Sequence, residues 1–342
     1  MHMADALLSP TVGATMWGVS GVSVAWCASR LGRDPDDRSV PLMGVLGAFL
    51  FAAQMINFSI PGTGSSGHLG GGLLLAILLG PQAAFFTIAS VLVVQALFFA
   101  DGGLLALGCN IFNMGFIPAF LVYPFCYRRL AGEGGGRRRS AAIMISAVVA
   151  LLLGALAVVM ETSFSGISEL PAGTFATLMV PIHLAIGLVE GVATVAIVSF
   201  LSKARPALVD SQASAATRPW YRTGPAVILF CALVTAGILS SFASKDPDGL
   251  EWSVARATGK GDLQSAAPLH RTLARIQAKT SWFPEYRFPA DRQDRPAAPS
   301  AAAHSTTPIG GTGAAGLVGT VVTLSLVLLT VFVLKRRKQG HL

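Results

Sequence analysis

LGGGLLLAILLGPQAAFFTIASVLVVQALFFA, residues 69–100, runs for 32 residues without a charged side chain. One helix of that length would extend roughly 48 Å at ~1.5 Å per residue, against a hydrocarbon core of ~30 Å. The stretch is therefore too long for one upright span and short for two. Gly80-Pro81 breaks it midway, where a proline ring and its missing N–H interrupt a helix. Its reading decides on which side of a membrane everything downstream lies.

That a membrane is involved follows from composition. Of 342 residues, 53% are hydrophobic and 12% charged, and mean hydropathy is +0.62. The charged share is far below that of an ordinary soluble protein, and apolar runs of spanning length recur along the chain. The net charge of +8 is carried by basic clusters between those runs. That is the pattern of cytoplasmic loops, so the charge needs no nucleic acid to explain it. The four cysteines, Cys27, Cys109, Cys126 and Cys231, form no CxxC pair, and read as small packing residues rather than a disulfide framework or zinc site.

Working outward, a first span covers residues 10–30 and ends in Arg30, Arg33 and Arg38, which marks that loop as cytoplasmic. The first charge-poor residues carry no basic n-region, so the N-terminus reads as uncleaved and outside. A second span, 40–58, returns outside to SIPGTGSSGHLGGG at 59–72. Further on, CYRRLAGEGGGRRR (126–139) holds five arginines that belong inside. Reaching them from His68 takes an odd number of crossings: two over 69–100 and one over 103–127. A single crossing at 69–100 would leave five arginines outside. Spans at 141–160 and 174–202 bring the total to seven.

Residues 203–222, rich in Ala, Ser and Pro, read as a cytoplasmic linker. A second module follows, with spans near 224–242 and 314–334, a polar extracytoplasmic segment 244–311, and a basic LKRRK end on the inside. The expected fold is thus an all-α polytopic membrane protein, a seven-helix bundle over 1–202 plus a two-helix module over 223–342, with the N-terminus outside and the C-terminus cytoplasmic. Leu269, Leu273 and Ile276 are expected on one face of a short amphipathic helix, with Trp282, Phe283, Tyr286 and Phe288 at the membrane interface.

Little in the chain suggests catalysis. Gly62-x-x-x-x-Gly67 approaches a phosphate loop, but His68 stands where lysine is required. No nucleophile with a base and an orienting acid stands out, so no catalytic residue and no resident cofactor is assigned. Of six histidines, His270, His304 and His341 lie in polar segments and read as solvated. His183 and Glu190 share a helix face about 10 Å apart, too far to bond each other, and read as an interhelical contact. His2 and His68 both fall outside, each beside the end of a span. The Met1 amine with the His2 amide and imidazole can chelate one ion through adjoining rings, and His68 would close a four-nitrogen plane. Such a site favours nickel(II) or copper(II), whereas calcium or magnesium would take oxygens.

Several stretches carry a family likeness: Met1-His2 with Asp5 and LLSP at 7–10, VPLMGVLGAFLFAAQMINFSIPGTGSSGHLGG at 40–71, DGGLLALGCNIFNMG at 101–115, and PIHLAIGLVEG at 181–191. The chain resembles the M-type, substrate-binding membrane subunit (CbiM or NikM) of energy-coupling-factor cobalt/nickel transporters. DPDGLEW at 246–252 makes the second module similar to the PDGLE, or N-type, domain often fused to that subunit. The resemblance implies metal ligation of nickel or cobalt by Met1, His2 and His68. It also implies a transport role in the plasma membrane together with separate ATPase subunits and a transmembrane T-type or Q-type coupling subunit. Where the family commonly begins Met-His-Ile-Pro-Asp-Gly, this chain has Met3, Ala4 and Ala6. Two other readings compete. An organic-vitamin carrier of similar architecture would bind without regard to chelators. A non-transporting metal sensor or scaffold would bind the ion without supporting uptake.

The parity argument has a direct test. In a chain cleared of its native cysteines, Cys placed at Arg138 stays unlabelled by an impermeant thiol reagent added to intact cells, whereas Cys at Lys245 is labelled. Labelling at 138 from outside would overturn the two-crossing reading of 69–100.

Overall fold

The structure is a computed structural model that describes residues 2–33, 39–132, 136–167, 170–204, 220–259, 267–288 and 311–339. Met1, most of the expected linker, His304 and His341 lie outside the described residues. The architecture is helical throughout, with one two-stranded ribbon. In chain order come α1 (Pro10–Arg33), α2 (Ser39–Gln54), β1 (Phe58–Ile60), β2 (Ser65–Gly67), α3 (Gly72–Leu79), α4 (Pro81–Phe98), α5 (Leu107–Ala131), α6 (Gly136–Ser165) and α7 (Ala172–Ala204). The second module contributes α8 (Trp220–Gly237), α9 (Gly249–Thr258), α10 (Pro268–Thr280) and α11 (Gly311–Gln339).

Six of the helices, all but α1 to α3, α9 and α10, are long and apolar enough to cross a membrane, and α2 is a shorter apolar helix. The chain is an all-α polytopic membrane protein. Within α5, residues Phe112–Tyr127 take the wider π-type turn and include Pro118 and Pro124, whose rings cannot occupy a regular α-helical ladder.

Residues 69–100 form two helical limbs around Gly80, as the break at Gly80-Pro81 predicts, but the limbs are unequal. Pro81 sits in the first turn of α4, where its missing N–H costs nothing, and α4 is 18 residues long. α3 has 8, about 12 Å of helix, less than half a bilayer core. The rest of the first limb is made by the non-helical segment 55–71, which folds into the bundle. Backbone polar groups can sit at that depth only where protein satisfies them.

Glycine makes this possible at two points. Gly71 has φ +75° and lies against the Leu50 side chain, and a Cβ on Gly67 would stand 2.5 Å from Ile186 Cγ1. A left-handed backbone and a contact this close both exclude larger residues.

The two modules pack as one. α2 lies between α4, α8 and α11, and α9 packs on α7. The segment after α10 caps the end of α4: Trp282 and Phe283 donate backbone N–H to the Phe98 carbonyl, and Glu285 to that of Phe99. Phe283 and Tyr286 stack on Phe99, so these two aromatic rings cover the bundle, while Trp282 and Phe288 remain exposed. The amphipathic helix exists as α10, but its docking face is offset from the expected one. Leu269 and Ile276 are exposed, and His270, Leu273 and Gln277 face the bundle. His270 is accordingly buried, not solvated. Its Nε2–H donates to the Leu8 carbonyl at 2.9 Å, so an apparently polar segment buries its histidine on the N-terminal strand.

Candidate metal centre

The N-terminal segment enters the bundle before α1, with one 3-10 turn at Asp5–Leu7. Its backbone is gripped at Met3. The Met3 N–H donates to Asn110 Oδ1 at 2.8 Å, and the Met3 carbonyl accepts from Gly103 N–H at 2.8 Å. Asp5 Oδ1 accepts from the Ala106 N–H at 3.0 Å. The Met3 side chain is fully buried, with its sulfur 3.9 Å from Asn113 Nδ2, so it anchors the segment by packing. An Asn on α5 thus plays the part that a neighbouring strand would play in a sheet.

This anchoring sets His2 against His68. Their rings stack with centroids 5.1 Å apart and planes 19° from parallel, and both histidines are largely shielded from solvent. Residues brought from 66 positions apart in sequence meet face to face. Burial lowers both imidazoles from their usual pKa, His68 to about 3. Neutral imidazole is the form that binds a transition metal.

A hydrogen-bond relay through side chains of α2 and α4 joins His2 to the loop that carries His68, at Gly70. Gln54 Nε2 donates to the Gly70 carbonyl at 3.0 Å. Gln95 Nε2 donates to Gln54 Oε1 at 3.0 Å, which leaves Gln95 Oε1 facing His2 Nε2 at 3.2 Å. A backbone carbonyl only accepts, so the direction of every amide in the relay is fixed. His2 Nε2 must be the donor. In the neutral ring, Nδ1 then carries the lone pair, and it faces Asp101 Oδ1 at 3.2 Å. A lone pair turned toward a carboxylate is favourable only with a cation between them, whether proton or metal. Asp101 also accepts the Tyr286 hydroxyl proton on its other oxygen, so the second module orients the carboxylate.

The loop that carries His68 is held from the opposite side by Glu190. Its two carboxylate oxygens accept the backbone N–H of Gly70 at 2.7 Å and of Gly71 at 3.0 Å. The expected contact between elements is real, but Glu190's partner is loop backbone, not another helix's side chain. His183, seven residues earlier, donates its Nδ1–H to the Met179 carbonyl at 2.8 Å, and its buried Nε2 has no partner among the described residues.

The PDGLE turn closes the remaining side. Ser66 N–H donates to the Pro247 carbonyl at 2.7 Å and Ser66 pairs with Asp248 as an isolated bridge. Asp248 caps α9, accepting the N–H of Leu250 and Glu251 at 2.8 Å each, and Glu251 Oε2 accepts the Asp248 N–H at 3.2 Å. These two carboxylates therefore have the local capping function that Ser-Asp-rich turns commonly serve. A narrow cavity beside His68 is lined by Gly67, Gly70, Met114, Ile186 and Asp248.

Among the described residues no group of three His, Cys, Asp or Glu side chains is arranged to hold a metal ion. Two imidazoles converge, with the Asp101 carboxylate beside His2. His2 and His68 were visible in sequence; Gln54, Gln95, Asn110 and Asp101 as their supports were not. Amides inside apolar spans are the signal that marks the first two.

The fold and this buried pair of histidines define a polytopic membrane protein with a buried polar centre inside its helical bundle. Residues 2–208 match the family model described as the cobalt uptake substrate-specific transmembrane region, CbiM, and residues 223–336 match the PDGLE domain. The chain belongs to the CbiM family and carries a C-terminal PDGLE domain. A putative fused nickel transport protein, NikMN, of Archaeoglobus fulgidus is 30% identical over 95% of this chain and 96% of its own length. The fused nickel transport protein NikMN of Rhodobacter capsulatus is 29% identical over 86% of this chain and 91% of its own. A crystal structure described as a transition metal transporter superposes with a TM-score of 0.53 at 32% identity, covering 60% of this chain and 93% of that one.

Glu190 offers a test of the loop's anchorage. Glu190→Ala leaves two buried N–H groups without acceptors, each costing about 1–3 kcal/mol. Unfolding in detergent should shift to lower temperature and nickel bound per chain should fall. Glu190→Gln, which keeps one accepting oxygen, should lie between. An alanine variant with unchanged unfolding and unchanged nickel content would contradict the role assigned to Glu190.

Proposed function

We propose that the chain is the substrate-capturing membrane component of an ATP-driven importer of the energy-coupling-factor type, and that its cargo is divalent nickel or cobalt. The observation that carries the reading is the buried stack of His2 on His68, with the relay that leaves His2 Nδ1 as an acceptor. A relative named as a nickel transport protein over 95% of this chain and one named as a cobalt transport protein over 61% of it support the reading.

In this reading the ion is held by four nitrogens: the Met1 amine, the His2 amide and Nδ1, and the His68 imidazole. Only Nδ1 of His2 can close a chelate ring with its own amide, so the ion takes the place opposite Asp101 and the amide proton is released. Gln95 keeps Nε2 protonated throughout, acting as an outer partner that orients the ligating ring. Nitrogen-rich planar coordination suits nickel, and cobalt also accepts imidazole.

The chain has no ATP-binding motif, so the work of release is assigned to separate ATPase subunits acting through a transmembrane coupling subunit. A site equally good in both states would move nothing. Capture takes place on the outer face and release on the inner one, with the N-terminus outside and the C-terminus cytoplasmic. Arg128, Arg129 and Arg137–Arg139 then lie on the side where those partners bind.

The experiment is to add one residue before Met1, and separately to make His68→Gln, in a chain purified with a C-terminal tag. Elemental analysis should find about one nickel or cobalt per wild-type chain and a severe loss in both variants. Arg271→Gln, exposed on α10, should bind as the wild type does. An extended chain that keeps a full complement of metal, lost on His68→Gln, would show that the terminal amine is no ligand. Binding of neither metal by the wild-type chain would overturn the reading altogether.

A further inference from the structure

The PDGLE turn does more at this site than its own capping requires. We infer that Asp248 lends its negative charge to the ion held between His2 and His68, so that the second module sets the affinity of the metal site. This rests on the metal-capture reading above.

Three observations converge on Asp248. The bridge to Ser66 and the Ser66 N–H bond to the Pro247 carbonyl at 2.7 Å fix the turn two residues from His68. Ser66 Oγ adds a second tie, donating to the Asp246 carbonyl at 2.8 Å. Asp248 and His68 also line the same cavity. Finally, Gly249 lies so close to α7 that a Cβ there would stand 2.5 Å from Ile182 Cγ2 and 3.4 Å from His183 Cε1. The turn is wedged between α7 and the His68 loop and cannot move away from the site without breaking that packing.

Charge explains why an aspartate should stand there. A divalent ion bound by a neutral amine, two neutral imidazoles and one deprotonated amide keeps a net single positive charge. Placing that charge in a water-poor interior is costly without a counter-charge. Asp101 at the His2 side and Asp248 at the His68 side together match the two charges that the ion brings before the amide proton leaves. Capping alone does not need it, because Asn and Ser cap a helix N-terminus about as well as Asp. The Asp248 charge also acts beyond the turn, since His68 and His2 both lie within its electrostatic reach.

That difference makes the test clean. Asp248→Asn and Asp248→Ser keep a capping oxygen and remove the charge; Asp248→Ala removes both. Full-length proteins would be titrated with nickel by calorimetry, and the metal-free forms melted in the same detergent. The Asn and Ser variants should remain folded and bind nickel at least about tenfold more weakly, because the loss of a counter-charge in a buried site is little screened by solvent. Either variant alone decides the matter if the other does not fold. Wild-type affinity in the Asn or Ser variant, with weak binding only in the Ala variant, would assign the effect to capping and overturn the inference. A wild-type chain that binds no nickel would overturn the functional reading, and this inference with it.

Discussion

The position of Gly70 is the constraint on which the site depends. Its N–H is taken by Glu190 on α7 and its carbonyl by Gln54 on α2. A residue held at both its N–H and its carbonyl inside an apolar bundle cannot shift along the helices without leaving polar groups unpaired. It therefore fixes His68 two residues upstream. Through Gln54 and Gln95 the same residue also sets which nitrogen of His2 carries a proton. One backbone group thus ties together the loop, the N-terminus and the ionisable residue of α7. The arrangement needs α2, α4 and α7 in register with each other, which is why a site so small requires a bundle so large.

The second module adds to this from outside the bundle core. His270 holds the Leu8 carbonyl, Gln277 bonds the carbonyls of Ala96 and Gly102, and Tyr286 bonds Asp101. Each contact falls on a segment adjoining His2. The PDGLE domain is built over the N-terminus at the very place where the chain is least helical and most in need of partners. Apart from the 3-10 turn at Asp5–Leu7 the N-terminal segment has few internal hydrogen bonds, and these contacts compensate for it.

Much of this was legible in sequence, and the misses have common causes. Apolar runs and basic clusters are properties of single segments, so the helical membrane fold and the break at Gly80-Pro81 could be read directly. His2 and His68 stood out because each is an isolated ionisable group beside a span. The glycines around His68 permit close packing, but nothing in their sequence reveals that residues 55–71 fold inward and leave α3 with 8 residues. That depends on Glu190 accepting backbone N–H groups, and no side chain marks an amide in advance. Gln54 and Gln95 meet only through the relative rotation of two helices. His270 was misread because the polarity of its segment belongs to the face opposite the bundle, and a 13-residue helix can bury a histidine while exposing two neighbouring aliphatic side chains.

The central claim is that the chain terminus itself forms the metal site. X-ray absorption on the nickel-loaded full-length protein probes it most directly. A planar first shell of four nitrogens, with outer-shell scattering from two imidazole rings, is the result this account predicts. A six-coordinate, oxygen-rich shell, or scattering from a single imidazole, would contradict it.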